Sequence, residues 1–208
     1  MTLFEVFLVV AILLFFAVVL LPILTRPSHI GAQHIACINN IKQVGLAYRV
    51  WEGDNNDKYP SFVSVTNGGI MEWTNCGAQI IVSNFLVMSN EVSNPIILAC
   101  PQDTKVVAVS DFGGLTTANI SYFINLDASD AFPQMILSGD DNLLVNGSPV
   151  ASGNLALPTN AIVTWSKYRH NGGGNIGLAD GSAQQVAGPD GISAFVSAGA
   201  MTNRIVIP

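Results

Sequence analysis

The sequence predicts an α+β fold. One long N-terminal α-helix, apolar in its first half and kinked or melted near Pro22, packs on a small antiparallel β-sheet head. Three observations carry this reading. Residues 6–24, VFLVVAILLFFAVVLLPIL, form an uncharged run of nineteen. From Ser28 to about Gly53 apolar residues recur at three- and four-residue spacing, the period of a helix with one face on a core. Beyond that, short apolar segments alternate with turn residues, the pattern of antiparallel strands. The implied organisation is 1–27 as an apolar helix, 28–54 as the amphipathic half of the same helix, and 55–208 as a β-rich head.

The first helix begins almost at residue 1 and carries no basic flank before the apolar run; Arg26 comes after it. A cleaved secretory signal would show a basic start and a small-residue cleavage site, and about 20 apolar residues suffice for a helix to span a bilayer. Pro22 and Pro27 each remove a backbone donor and crowd the preceding turn, so they mark an interruption. The second half presents Ile35, Ile38, Ile41, Leu46, Tyr48 and Trp51 toward the head, with Lys42 and Arg49 outward, and ends at Gly53-Asp54-Asn55-Asn56-Asp57. At 1.5 Å per residue the whole element would reach about 80 Å.

In the head, Pro60–Val65, Pro95–Cys100, Asn119–Leu126, Gln134–Leu137, Ala161–Trp165 and Ile205–Ile207 read as strands. Gln79–Met88 and Ile192–Ala198 read as short helices. Asn175–Ala179 and Ser182–Val186 flank Asp180-Gly181, a hairpin turn signal. Trp51, Trp73 and Trp165 read as core.

Charge narrows the function classes. Only 11% of residues are charged, and the net charge is −6. Residues 1–53 carry three basic and two acidic side chains, whereas 54–208 carry five basic and twelve acidic ones, a net of −7. Such a body offers no broad basic face, so nucleic acid is not an expected partner. Cys37, Cys76 and Cys100 permit one disulfide in an exported chain and leave one thiol over; spacing does not choose among the three pairings. The absence of CxxC argues against a zinc ribbon.

Glu5 is a carboxylate at the edge of an apolar run, costly there unless partnered. With the residues before it, Met1-Thr2-Leu3-Phe4, it resembles the mature N-terminus of the type IV pilin and type II secretion pseudopilin superfamily, in which an apolar first residue precedes Thr-Leu-x-Glu. Two further stretches carry the resemblance: Asn39-Asn40-Ile41-Lys42-Gln43-Val44-Gly45-Leu46-Ala47, similar to the NLKQIGLA of a pseudopilin-like bacterial group, and His170 followed after nine residues by Asp180-Gly181, similar to its H-x9-DG signature. Residues 60–160 match only loosely, through Cys100-Pro101-Gln102-Asp103.

The resemblance implies that Met1 is the processed and N-methylated first residue, and that Thr2, Leu3 and Glu5 direct assembly, Glu5 pairing with the α-amino group of a neighbouring copy. It implies melting near Pro22 in a filament. It implies a structural subunit, not an enzyme: a self-polymer that occupies the inner membrane and then an extracellular filament, served by a prepilin peptidase and an inner-membrane assembly platform. A short periplasmic secretion pseudopilus and a membrane-anchored adhesin or binding module are the alternatives. Calcium, which related pseudopilins bind in a C-terminal loop, would have Asp140, Asp141, Asp180 and Asp190 as candidate ligands; no EF-hand spacing supports it, and no cofactor is otherwise expected.

His170 with Asp180 invites a catalytic or metal reading, but Asn171-Gly172-Gly173-Gly174 reads as a turn that His170 caps. His29 and His34, five apart, do not share a helix face. Asn119-Ile120-Ser121 and Asn146-Gly147-Ser148 are glycosylation sequons.

Overall fold

The computed structural model describes residues 2–24, 29–158, 160–188, 192–196 and 202–208. The chain divides into two compact units, Met1–Ala32 and Gln33–Pro208.

Helix α1 spans Leu3–Leu24, and its described side chains are those of residues 3–19, all exposed. Its start is a reciprocal capping box: Glu5 Oε2 accepts from the Thr2 amide at 2.7 Å, and Thr2 Oγ1 accepts from the Glu5 amide at 3.4 Å. The expected single long helix, kinked or melted near Pro22, is corrected to two helices. α1 continues through Pro22 to Leu24, because a proline deletes one helical hydrogen bond and leaves the others in place. A separate helix, α2, spans His29–Asp54. Among the described residues no helix is long and apolar enough to cross a membrane. Met1, Pro27 and Asp190 lie outside the described residues.

From Gln33 onward α2 belongs to the head. Cys37, Ile41, Val44, Tyr48 and Trp51 are buried, at alternating four- and three-residue steps that keep one face inward. Ile35 and Leu46, expected on that face, are exposed, since they fall outside this register. Arg49, expected outward, is half-buried and pairs with Glu52 at 2.5 Å and with Asp130. The helix ends where Asn56 and Asp57 adopt positive φ, a conformation that Asn and Asp tolerate better than most residues.

The head is larger than the small sheet expected. Among the described residues are β1 (Tyr122–Asn125), β2 (Ile136–Asp140), β3 (Leu143–Val145), β4 (Ser148–Pro149), β5 (Gly153–Pro158), β6 (Val163–Trp165), β7 (Gly174–Leu178), β8 (Ala183–Val186) and β9 (Thr202–Ile207). They form a 6-stranded sheet, ordered β5-β9-β1-β2-β7-β8, and a 3-stranded sheet, ordered β4-β3-β6. All recorded pairings are antiparallel. The large sheet is apolar on both faces. Ile124, Leu137 and Val206 pack with α2 and with α3 (Gln79–Val87), whereas Phe123, Ile136, Ile176, Ile205 and Ile207 pack with Leu143, Val163 and Trp165 of the second sheet and with α5 (Ser193–Val196). A helix covers only one face; the other requires the second sheet, and the three layers follow.

Two segments read as strands are 3-10 turns instead, Pro60–Phe62 with Val65–Asn67, and Pro95–Leu98. Each opens on a proline, whose fixed φ suits the first helical position and which cannot donate to a ladder. A further short helix, α4, covers Ser89–Val92. Trp73 is 41% exposed and not core. The Asn146-Gly147 pair, read as part of a sequon, is the β3–β4 hairpin turn, with φ of 50° and 78°.

Candidate functional site

The three segments that carry the family resemblance meet the rest of the chain in different ways. Glu5 is exposed and is used by its own helix as a cap. The other two segments come together. Gly45 of α2 faces Gly181 of the β7–β8 turn so closely that a Cβ on Gly45 would lie 3.3 Å from the Gly181 Cα. Gly181 has φ +82°, which glycine adopts without strain. Asp180 Oδ1 accepts from the Ser182 amide at 2.8 Å, and the Asp180 amide donates to the Pro133 carbonyl at 3.1 Å. The carbonyl of Ala179 accepts a 2.6 Å hydrogen bond from the Tyr59 hydroxyl. Asp180-Gly181 is therefore a docking turn on the helix.

His170 lies elsewhere. It and Asn171 have φ of 51° and 56°, so the turn before β7 is left-handed at two non-glycine residues. This turn directs the His170 ring inward, with its side chain 0% exposed. The turn expected there is present, with the Gly173 amide donating to the His170 carbonyl at 3.2 Å, while the His170 ring is turned inward. His170 Nε2 stands 3.2 Å from Asp140 Oδ2, 3.3 Å from Asn175 Nδ2 and 3.5 Å from Cys100 Sγ. The ring of His34 lies 4.5 Å from that of His170, and His34 Nε2 is 3.2 Å from Asn175 Oδ1.

Cys100 is joined to Cys37 in a disulfide, which settles the pairing left open by spacing; Cys76 is free and exposed. The bridge ties α2 to the segment just after the Pro95–Leu98 turn.

Beside this cluster Arg169 is nearly buried among three carboxylates. It pairs with Asp103, with Asp141 at 2.8 Å and with Asp140 at 3.6 Å, and it donates to the Ser121 carbonyl at 3.1 Å. Burial disfavours its charge, but the carboxylates outweigh this and hold the guanidinium above its ordinary range. Burial pushes the Asp141 carboxyl up to about 6, against the pull of Arg169. Burial, and then Asp140, raise the Tyr122 phenol. Asp103, Asp141 and Arg169 also line a groove of about 360 Å³, with the exposed Tyr168 at its edge.

The calcium candidates are not brought together. Asp140 and Asp180 sit beyond opposite ends of the β2–β7 ladder, whose register pairs Ile136 with Leu178 and Gly139 with Ile176. Asp140 and Asp141 already face a cation, Arg169. The His170–Asp140 pair has the look of an acid–base dyad, but the sulfur beside it is tied in a bridge.

Sequence reasoning passed over Arg169, named Asp103 only within the Cys100–Asp103 match, and named His34 only to exclude a helical pair with His29. Arg169 precedes His170 directly, and one of only two arginines in an acidic body was a usable signal for an ion pair. The Thr2-x-x-Glu5 cap was also legible as a spacing. Comparison with models of known protein families, with curated proteins and with solved structures finds no match to this chain.

Proposed function

We propose that this chain is a type IV pilin-like filament subunit that polymerises through α1. The observation that carries the reading is the surface of that helix. Leu3, Phe4, Phe7 and Val18 are 70% or more exposed, and no charge interrupts the run after Glu5. Apolar surface of this extent is unfavourable in water and is removed by lipid before assembly, and by copies of the same helix afterwards. The disulfide supports an oxidising destination outside the cytosol.

Glu5 has two separable roles in this reading: it caps its own helix, and its charge pairs with the N-terminus of a neighbouring copy. Glu5→Gln separates them, since glutamine serves in a capping box as glutamate does. The expected result is a stable subunit that no longer enters filaments, with the variant protein present in the membrane fraction and absent from sheared surface material by immunogold microscopy. Wild-type levels of filament from Glu5→Gln would refute the charge-pairing mechanism. Long wild-type filaments favour a pilus over a secretion pseudopilus, and a surface activity untouched by Glu5→Gln favours an anchored binding module.

A further inference from the structure

We infer that Cys37, Cys100 and His170 form a thiol-gated site for a thiophilic divalent cation, zinc above all, closed when the two cysteines are bridged and open when they are reduced. The inference is independent of the filament reading and rests on the head alone.

Among the described residues, these three form the group whose ligand atoms lie within 4.8 Å of one another, and all three are buried. The edge between the Cys100 sulfur and the His170 nitrogen is that of two ligands around one ion. With zinc–sulfur bonds of about 2.3 Å and zinc–nitrogen or –oxygen bonds of about 2.0–2.1 Å, a tetrahedral site has sulfur–nitrogen edges of about 3.5 Å and nitrogen–oxygen edges of about 3.3 Å. Cys100 Sγ is 3.5 Å from His170 Nε2, and Asp140 Oδ2 is 3.2 Å from the same nitrogen. Asp140 stands beside the imidazole, outside the group of three, and solvent completes the tetrahedron. The two sulfurs must separate, from a bond to the edge of a tetrahedron.

The surroundings suit such a centre. Asn175 donates to Asp140 Oδ2 through its amide at 2.7 Å and its side chain at 3.0 Å, which orients the carboxylate. Two thiolates around a dication leave no net charge, and Arg169, 3.6 Å from Asp140 Oδ1, keeps the neighbouring carboxylate paired. The His34 ring lies against that of His170 at 4.5 Å, tilted by 30°.

The chemistry balances. A dithiol reductant transfers two electrons and two protons to the bridge and is itself left as a disulfide, giving two thiols at Cys37 and Cys100. Zinc then displaces both thiol protons to solvent as it binds.

The test uses the full chain carrying Cys76→Ser, so that the exposed thiol does not contribute. The protein is reduced with a trialkylphosphine in the absence of oxygen and titrated with cobalt(II) chloride. One cobalt per chain is expected, with thiolate-to-cobalt charge transfer and the intense visible bands of a tetrahedral ion, both abolished by added zinc. The bridged protein should give neither. His170→Asn, an amide that tolerates the left-handed backbone there, should fold normally when oxidised. When reduced, it should bind zinc at least about ten-fold more weakly, since changing even an outer-shell partner typically costs that much. If reduction unfolds the chain, zinc should restore its circular dichroism. Overturning results are a reduced, folded chain that binds no cobalt, cobalt bands unchanged in His170→Asn, or an unfolded reduced chain that zinc fails to refold.

Discussion

Arg169→Met replaces the one cation of a buried acidic cluster with an apolar side chain of similar length. In the native head the guanidinium contacts Asp103, Asp141 and Asp140 and donates to the Ser121 carbonyl, while its own side chain is 8% exposed. Hydrogen bonds to charged groups contribute about 1.5–3 kcal/mol each, and removing one partner of a buried ion pair costs about 3–5 kcal/mol because the other charge is stranded. Asp140 is 0% exposed and Asp103 5%, so neither can turn to water without opening the structure. A loss of about 4 kcal/mol is therefore expected, a large part of the ~5–15 kcal/mol that holds a domain together.

The deficit should depend on pH in a defined direction. Burial already raises the Asp141 carboxyl to about 6 in the presence of Arg169, and without the cation it rises further. An acid whose folded pKa lies above its unfolded value destabilises the fold when ionised, and the penalty disappears as pH falls through the folded pKa. The variant should thus be weakest above neutrality and recover toward wild type as pH falls from about 7.5 to about 5. Urea unfolding followed by circular dichroism reads both effects. With a slope near 2 kcal/mol per molar, the midpoint falls by about 2 M at the higher pH. A deficit under about 1 kcal/mol at pH ~7.5, or one that grows as pH falls, would refute the reasoning.

Two further outcomes follow from the fold. The Cys37–Cys100 bridge closes a separation of 63 residues, for which loop entropy gives about 4 kcal/mol, so Cys37→Ser with Cys100→Ser should lower the urea midpoint of the oxidised protein correspondingly. Gly45→Val drives branched methyls toward the Gly181 backbone, already 3.3 Å from a Cβ, and should cost about 1–3 kcal/mol with the β7–β8 turn losing amide-exchange protection first.

Much of the architecture was legible where local chemistry decides conformation. Asp180-Gly181 announces its hairpin because only glycine adopts φ of +82° freely. α2 is readable from its period, and α3 from an apolar stretch of helical length. The Pro60 and Pro95 segments misled, because apolar pattern alone cannot distinguish a 3-10 turn from a strand and the proline at the head of each was the better guide. The second sheet was missed for a different reason. β3 and β4 are short and partly exposed, and with β6 they exist because the large sheet has an apolar back that needs a cover, a demand visible only once the strands are assembled.

The same division governs the site. An uncharged apolar run that begins directly after Glu5, an acidic body and three cysteines are properties of the sequence by itself, and they set the class of protein proposed. Which cysteines pair, and what stands around them, is not in the sequence. Cys37, Cys100, Asp140 and His170 are spread over 134 positions, and no local rule links them. They converge because α2 packs on one face of the large sheet while the left-handed turn at His170 and Asn171 carries an imidazole from the sheet's edge into the interior, and a distance of 3.5 Å between a sulfur and a nitrogen is a product of that packing alone.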